Sequence, residues 1–241
     1  MDTSPEQRAA YWILKNVNRA IREWNMIADG DRVAVAVSGG KDSLSLLRLL
    51  DLRRAAVPER YELAVIHVLA DARGPATPPP TALLDWLAAS GYEYEIVRPA
   101  LPAGETLPME CQRCTWNRRR ALFEAAGRLG CKVVALGHTA DDLAQTTLLN
   151  LLFLGRVETM APRREYFGGA IRLVRPLCYT PESDTRRLAR LCAFPPPPDP
   201  CPQAGRSRRQ AVRELIRLAQ KFSPNARENL LRAGLKEANS D

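Results

Sequence analysis

The sequence lacks the marks of a membrane or exported protein. No apolar run approaches the roughly 18–20 residues that a membrane-spanning helix needs. The N-terminal residues include acidic side chains and no apolar core segment, so they predict no secretory signal. In the reducing cytoplasm that these absences predict, the cysteines should not form a disulfide framework. We therefore expect a cytoplasmic protein with no membrane partner.

Histidine is nearly absent, and two common motifs are missing. His67 and His138 are the only histidines in the chain. A four-ligand zinc site around the C-x-x-C pair at 111 and 114 would need two more ligands at short spacing, and the sequence offers none there. A Walker A loop is excluded because Gly40-Lys41 is followed by Asp42 and has no glycine five residues earlier. We find no internal repeat.

What the chain does have is an excess of positive charge. Lysine and arginine number 35 against 27 acidic residues, a net charge of +8. Arginine dominates, and its planar guanidinium suits bidentate contacts to phosphate. The charge favours a polyanionic partner such as nucleic acid, although arginine-rich codon usage would give the same balance. The hydrophobic content of 46% is enough for a folded core.

Short strands alternate with helices along most of the chain. This alternation predicts βαβ units and hence an α/β fold with a doubly wound parallel sheet. We divide the chain into an N-terminal helix at residues 1–30, an α/β domain at 31–180 and a C-terminal helical region at 181–241, whose Pro-rich loop carries Cys201. The predicted strands span residues 32–37, 63–69, 92–97, 132–137 and 171–174.

The loop at residues 38–43 is the first candidate site. It follows a buried strand and begins a helix, which is where ligands bind in a doubly wound sheet. Gly39 and Gly40 would let the backbone approach an anion closely, and the free N–H groups at the helix start attract phosphate. The loop therefore predicts a phosphate-binding site, with an ordinary tight turn as the alternative.

The polar side chains of this loop support the same interpretation. Ser38 and Ser43 can donate hydrogen bonds, and Lys41 adds a mobile positive charge. Asp42 is unusual for a pure anion site and is better explained as a Mg²⁺ ligand beside a polyphosphate. His67, near the end of the next strand, is predicted at the same edge of the sheet.

A second loop, at residues 137–142, repeats this geometry. A glycine follows a buried strand, and polar residues open the next helix. Gly137, His138 and Asp142 together favour contacts to a nucleotide. Asp141 is explained equally well as a helix-capping residue, because acids are common at helix starts.

The cysteines fall into two groups. Cys111 and Cys114 lie where a Pro-rich loop meets a helix, and thiolates at a helix start are good nucleophiles or metal ligands. Cys201 lies in a polar, Pro-rich loop. Two close cysteines and one distant one can hold a 4Fe–4S cluster with one iron open, although a C-x-x-C pair can also be a redox pair. Small buried hydrophobic residues are the expectation for Cys131, Cys178 and Cys192.

The hexapeptide SGGKDS resembles the signature of the PP-loop ATP pyrophosphatases, adenylating enzymes that cleave ATP between its α and β phosphates. The segment GHTADD resembles the G-H-x-x-D-D segment of PP-loop tRNA thiolases and lysidine synthetases. The order of PP-loop, C-x-x-C, G-H-x-x-D-D and distant cysteine resembles the tRNA 2-thiocytidine synthetase group. That resemblance runs from about residue 10 to 235 and includes LLNLLFLGRVETMAP and VRPL.

The resemblance implies that a nucleobase carbonyl is adenylated and that sulfur replaces its oxygen. Lys41 would stabilise the developing phosphate charge, Asp42 and Asp142 would help to hold Mg²⁺, and Cys114 would take part in catalysis. Cys111, Cys114 and Cys201 would hold the cluster. The predicted ATP contacts are Ser38, Gly39, Gly40, Lys41, Asp42, Ser43, His67, Gly137 and His138.

The partner implied by the resemblance is tRNA, at cytidine 32, with sulfur from a cysteine desulfurase or another donor. Two alternatives stay open: a cluster-independent PP-loop enzyme, either a persulfide thiolase or 2-thiouridine synthetase-like, and a non-catalytic ATP- or RNA-binding module. Trp116 could stack on a base or belong to the core. The terminal helices could form a homodimer. Candidate RNA contacts are Arg118–Arg120, Arg163, Arg164, Arg206, Arg208, Arg209 and Arg213.

Overall fold

A computed structural model describes residues 4–69, 80–100, 104, 109–198 and 208–238. Cys201 and Arg206 lie outside these residues. Within the described ranges, no helix is long and apolar enough to cross a bilayer. The helices are α1 (Pro5–Glu23), α2 (Lys41–Arg54), α3 (Thr81–Ser90), α4 (Cys111–Arg128), α5 (Ala140–Leu154), α6 (Glu182–Leu191), α7 (Arg208–Phe222) and α8 (Ala226–Ala238). The strands are β1 (Arg32–Ala36), β2 (Glu62–Val68), β3 (Glu93–Val97), β4 (Val133–Leu136), β5 (Arg163–Tyr166) and β6 (Ile171–Val174).

The strands form one sheet in the order β3-β2-β1-β4-β6-β5. All neighbouring pairs are parallel except β5 and β6, which pair antiparallel at the edge. The doubly wound α/β prediction is therefore confirmed, with one antiparallel edge strand that the sequence did not predict. The order of the strands reverses between β1 and β4, and ligands bind at such a switch point outside the carboxyl ends of the strands.

Two apolar layers cover the two faces of the sheet. Side chains alternate along β1, so Val33 and Val35 pack with the buried residues of α1, α2, α3 and α6, whereas Ala34 packs on the opposite face with α4. Helices α7 and α8 pack against α5. α4 is therefore the helix whose buried face covers the second side of the sheet within the described chain.

Helix α1 begins at a capping box and lies on the first face. The Ser4 hydroxyl accepts from the Gln7 backbone N–H at 3.1 Å, and the Gln7 side chain accepts in return from the Ser4 N–H. Apolar residues recur at helical spacing from Tyr11 to Ile27, which predicts that they share one buried face. Ile13, Val17 and Ile21 are buried, but the prediction is wrong for Tyr11, which is 59% exposed.

Candidate functional site

The two predicted loops border one cavity of about 440 Å³ at the switch point. The loop after β1 contributes Ser38, Gly40, Asp42 and Ser43, and the loop after β4 contributes Gly137, His138 and Asp142. Ile66 and Val68 of β2 form part of the apolar wall. Thr115, Arg118 and Arg119 of α4 and Arg209 of α7 form the polar side, and Leu122 of α4 adds to the apolar wall. The structure thus brings together residues from five separate parts of the chain.

The first loop is braced by its own serines. The Ser43 hydroxyl donates to the Gly40 carbonyl at 2.9 Å and accepts from the Ser38 backbone N–H at 3.1 Å. The two hydroxyl oxygens of Ser38 and Ser43 lie 3.2 Å apart. Gly40 is the N-cap of α2 and brings no side chain to cap it, which leaves the start of the helix available to an anion.

Two glycines let other parts of the chain approach the loops. Gly39 has a φ of 83°, and a Cβ there would lie 2.7 Å from Pro198 Cδ. A Cβ on Gly137 would lie 2.9 Å from both the Cα and the backbone nitrogen of Ser43. Real Cβ atoms do not approach backbone so closely, so the two loops can meet only because position 137 is glycine.

Replacing Gly137 with alanine should separate the two loops. We expect the free energy of unfolding to fall by about 1–3 kcal/mol, because backbone must move to admit the methyl group. ATP should bind at least about tenfold more weakly, because the loops that border the cavity no longer meet. Thermal unfolding and equilibrium ATP binding measure the two effects.

The matched control is Gly127→Ala. Gly127 lies in α4, and a Cβ there would meet nothing within 4 Å. Alanine should leave ATP binding unchanged and raise stability by about 0.5–1 kcal/mol, since glycine is a poor helix former. Equal ATP affinities for the two variants would contradict the close-approach argument.

Lys41 is held by two carboxylates in this structure. Its Nζ lies 2.8 Å from Asp42 Oδ2 and 2.7 Å from Glu182 Oε1. Burial alone would lower the pKa of Lys41, but the hydrogen bonds to Asp42 and Glu182 outweigh it and raise the pKa above 10.5. Asp42 also accepts a hydrogen bond from the Thr185 hydroxyl. Sequence reasoning missed Glu182, because no motif distinguishes it from other acids at a helix start.

The adjacent acids Asp141 and Asp142 make different contacts. Asp142 Oδ2 accepts from the backbone N–H of Thr139 at 2.9 Å and from its hydroxyl at 3.0 Å, which caps α5. Asp141 Oδ2 accepts from the Glu182 backbone N–H at 2.7 Å, and Arg227 lies 3.4 Å away. Asp141 thus ties α5 to α6 and α8, while Asp142 borders the cavity.

His138 borders the cavity with a fixed acceptor nitrogen. The Arg175 Nε donates to His138 Nδ1 at 3.3 Å, so the ring proton of the neutral histidine belongs on Nε2. Burial, followed by the Arg175 charge, lowers the pKa of His138 to about 4. Arg175 is itself buried, and burial lowers its pKa to about 10. His138 therefore stays neutral at neutral pH; Arg175 was not predicted as a site residue.

His67 does not line the cavity. It is 4% exposed in β2, and its Nδ1 lies 2.7 Å from the Val37 carbonyl oxygen. Burial lowers the pKa of His67. The side chain thus supports the end of the β1 segment just before the first loop, and its direct contact with a nucleotide stays a prediction.

The C-x-x-C pair lies in the first turn of α4, beside the cavity. Cys111 is exposed and Cys114 is half-buried. Residues four apart share a helix face, so Cys111 lies one turn from Thr115 and Cys114 one turn from Arg118, both of which line the cavity. On the N-terminal side of Cys201, the last described residue is Pro198, which packs against Gly39.

The other cysteines have the surroundings of packing residues. Burial raises the pKa of the Cys178 thiol to about 12 and that of Cys192 to about 11, and it also raises the pKa of Cys131. Cys131 and Cys178 are buried and Cys192 is half-buried. Thiols with raised pKa values are poor nucleophiles and ligands. The predicted burial is confirmed for Cys131 and Cys178 and is only partial for Cys192. Within the described chain, no cluster of three or more metal-ligating side chains occurs.

The arginines predicted to contact RNA differ in their surroundings. Arg118, Arg119 and Arg209 line the cavity. Three of the other candidates make local contacts: Arg120 with Glu124, Arg163 with Glu165, and Arg208 over the ring of Phe153. Trp116 is 73% exposed, so it does not belong to the core.

Comparisons with known proteins show the family. A family model described as a PP-loop domain matches residues 13–219. The tRNA-cytidine(32) 2-sulfurtransferase of Delftia acidovorans is 36% identical over 230 residues, which cover 92% of this chain and 72% of that protein. The protein of the same name from Geobacter sulfurreducens is 35% identical over 234 residues, or 92% of this chain and 89% of that protein.

A solved structure is also similar. The U34-tRNA thiolase NcsA from Methanococcus maripaludis, described with its 4Fe–4S cluster, matches with a TM-score of 0.77 and 25% identity. The match covers 95% of this chain and 80% of NcsA. With a PP-loop model matching most of its length and relatives more than one-third identical, the chain belongs to the PP-loop family that includes the tRNA-cytidine(32) 2-sulfurtransferases.

Proposed function

We propose that this chain is a cytoplasmic, ATP-dependent tRNA sulfurtransferase that replaces the C2 oxygen of cytidine 32 with sulfur. The observation that carries the proposal is the shared cavity, bordered by both glycine loops and by the helix that begins at Cys111. Activation of oxygen and delivery of sulfur must reach the same carbon atom, and one cavity serves both. The names of the two bacterial relatives support the base and its position.

The chemical problem is that a carbonyl oxygen is a poor leaving group. The cytosine oxygen attacks the α phosphorus of ATP, pyrophosphate leaves, and the oxygen becomes part of a phosphate ester. Sulfide then attacks the activated carbon, and AMP leaves with the original oxygen, so no net oxidation occurs. The α2 N-terminus and Lys41 stabilise the negative charge on the phosphates. To contact the phosphate, the Lys41 ammonium group gives up its ion pair with Asp42 or Glu182 and pairs with a phosphate oxygen instead.

Asp42 and Asp142 are the carboxylates that would hold Mg²⁺, because both border the cavity beside the loops. When bound, Mg²⁺ would neutralise charge on the polyphosphate. His138 is kept neutral by burial and by Arg175, so its Nε2–H donates a hydrogen bond into the cavity rather than moving a proton.

Cys111, Cys114 and Cys201 are the proposed ligands of a 4Fe–4S cluster. The first two fit, because thiolates at a helix start are good iron ligands and this turn lies beside the cavity. Cys201 follows Pro198 by three residues in the sequence, and Pro198 contacts the first loop. When bound, the cluster would supply an open iron position for sulfide. The sulfide would come from a cysteine desulfurase or another donor.

The test is a thiolation assay on anaerobically purified protein. We expect iron and acid-labile sulfide in the protein, AMP formation that depends on tRNA, and 2-thiocytidine in the digested tRNA. A tRNA with uridine in place of cytidine 32 should lose the product. The absence of AMP formation with tRNA would refute the enzyme proposal. Full activity without iron would instead identify a persulfide thiolase.

A further inference from the structure

A second cavity, the aromatic groove, lies between α4 and the β5–β6 hairpin and encloses about 1020 Å³. Trp116 and Phe123 line it from α4, and Tyr166 and Phe167 line it from the hairpin. Arg119 lines both this groove and the nucleotide cavity. The two cavities are therefore neighbours, although the proposed chemistry uses only the first.

The aromatic rings of the groove form a supported platform. The centroid of Phe123 lies 5.0 Å from that of Tyr166 and 5.9 Å from that of Phe167. Trp116 and Phe167 remain 73% and 71% exposed. Phe167 thus rests on Phe123 while most of its own ring is exposed, and exposed aromatic rings suit the stacking of planar ligands such as nucleobases.

The backbone of Phe167 is unusual for a bulky residue. Its φ is 55°, in the left-handed region, and the next two turn residues, Gly168 and Gly169, adopt φ values of 64° and 91°. Glycine tolerates such values without cost, whereas a bulky side chain is strained there. Strain of this kind clusters at binding and active sites, so it points to a role for the Phe167 side chain. The turn itself does not need a phenyl ring.

The groove is strongly positive. Arg119, Arg120, Lys132 and Arg164 line it against one carboxylate, Glu124. Glu124 is already 2.8 Å from Arg120. Within the described chain, no carboxylate is paired with the three other cations. A planar, anionic ligand complements both the rings and the charge.

We propose that the aromatic groove binds unstacked nucleotides of the substrate tRNA next to the reacting base. Bases stack on Trp116 and Phe167. Phosphates contact Arg119, Lys132 and Arg164. The proposal rests on the proposed function and adds the surface that holds the single-stranded RNA while one base enters the neighbouring cavity.

Charge favours RNA over a second copy of this chain as the occupant. In a symmetric dimer built on this groove, the same patch would face itself. Cations such as Arg119, Lys132 and Arg164 would then lie near their own counterparts. RNA brings one negative charge with each nucleotide, so its binding neutralises the cations of the groove, whereas a second copy would add repulsion between like charges.

The test measures tRNA binding by holoenzyme carrying Phe167→Gly or Trp116→Ala. Each variant should raise the Kd and KM for tRNA about five- to 100-fold, the range for losing one base stack. ATP affinity, iron content and kcat at saturating tRNA should stay unchanged. Phe167→Gly should melt near the wild-type temperature, because relief of the strained turn offsets the lost contact between this ring and Phe123.

Two further variants sharpen this test. Trp12→Ala is the matched control, since Trp12 is 64% exposed on α1, whose buried side packs on the opposite face of the sheet. It should bind tRNA as the wild type does. Arg164→Gln should weaken binding and lower the slope of log affinity against log salt by about 1, as expected for one lost phosphate contact.

The outcomes separate the groove from the proposed function. If the wild type thiolates tRNA and both aromatic variants bind tRNA with its Kd, the groove proposal is wrong and the function stands. If the wild type neither binds nor thiolates tRNA, the function fails and the groove proposal fails with it. If the variants turn a dimer into a monomer without changing tRNA affinity, the groove is a subunit contact and the proposal is overturned.

Discussion

Replacing Lys41 with alanine should lower the rate of tRNA-dependent AMP formation by about a hundred- to a thousandfold. The change removes the one flexible cation of the loop that stabilises the phosphate charge in the transition state. The fold should persist, because Lys41 lies at the first turn of α2 and is only half-buried. Single-turnover AMP formation and thermal unfolding measure the two effects.

Two variants control for this result. Lys221→Ala removes an exposed lysine at the end of α7, so the rate should be unchanged. Glu182→Gln removes one carboxylate that holds Lys41 Nζ at 2.7 Å, so ATP should bind at least as tightly as in the wild type. A Lys41→Ala rate within about threefold of the wild type would refute the assigned role.

Replacing Cys114 with alanine should reduce formation of 2-thiocytidine to below about a thousandth of the wild-type rate. Pyrophosphate release in a single turnover with tRNA should survive, because activation of the base needs no sulfur, whereas AMP should stay attached to the base. The iron content of the protein should fall, since one proposed ligand is lost. Analysis of digested tRNA and a colorimetric iron assay measure the two results.

Cys192→Ala is the matched control for Cys114→Ala. Cys192 is also half-buried, but burial raises its pKa to about 11, so it is a poor ligand and nucleophile. Iron content and thiolation should stay at wild-type values. Normal thiolation by the Cys114 variant would remove this thiol from the mechanism, whatever the iron content.

The sequence predicted the central part of the site because its signals are local. Each loop consists of a glycine and polar residues between a buried strand and a helix. Parallel strands in a doubly wound sheet present such loops at one edge, so 38–43 and 137–142 were expected at the same edge, and the pairing of β1 with β4 makes them neighbours. What the sequence could not show is how closely the two loops approach: Gly137 lies directly against the backbone of Ser43.

The residues that sequence reasoning missed act through contacts between distant parts of the chain. Glu182 meets Lys41, and Arg175 meets His138, but neither pair is close in the sequence. Nothing local distinguishes these two side chains from surface charges. Strand β5 was missed because its sequence, RREY, lacks the run of apolar residues that indicates a buried strand. An edge strand pairs on one side only, so it can carry charged side chains.

The contact between Pro198 and Gly39 joins two segments that are far apart in the sequence. The ring of Pro198 occupies the space that any larger side chain at position 39 would need. Because the pyrrolidine ring is rigid, it cannot fold away to make room for a side chain at position 39. A substitution at Gly39 would therefore disturb two segments at once, the first loop and the segment that ends at Pro198.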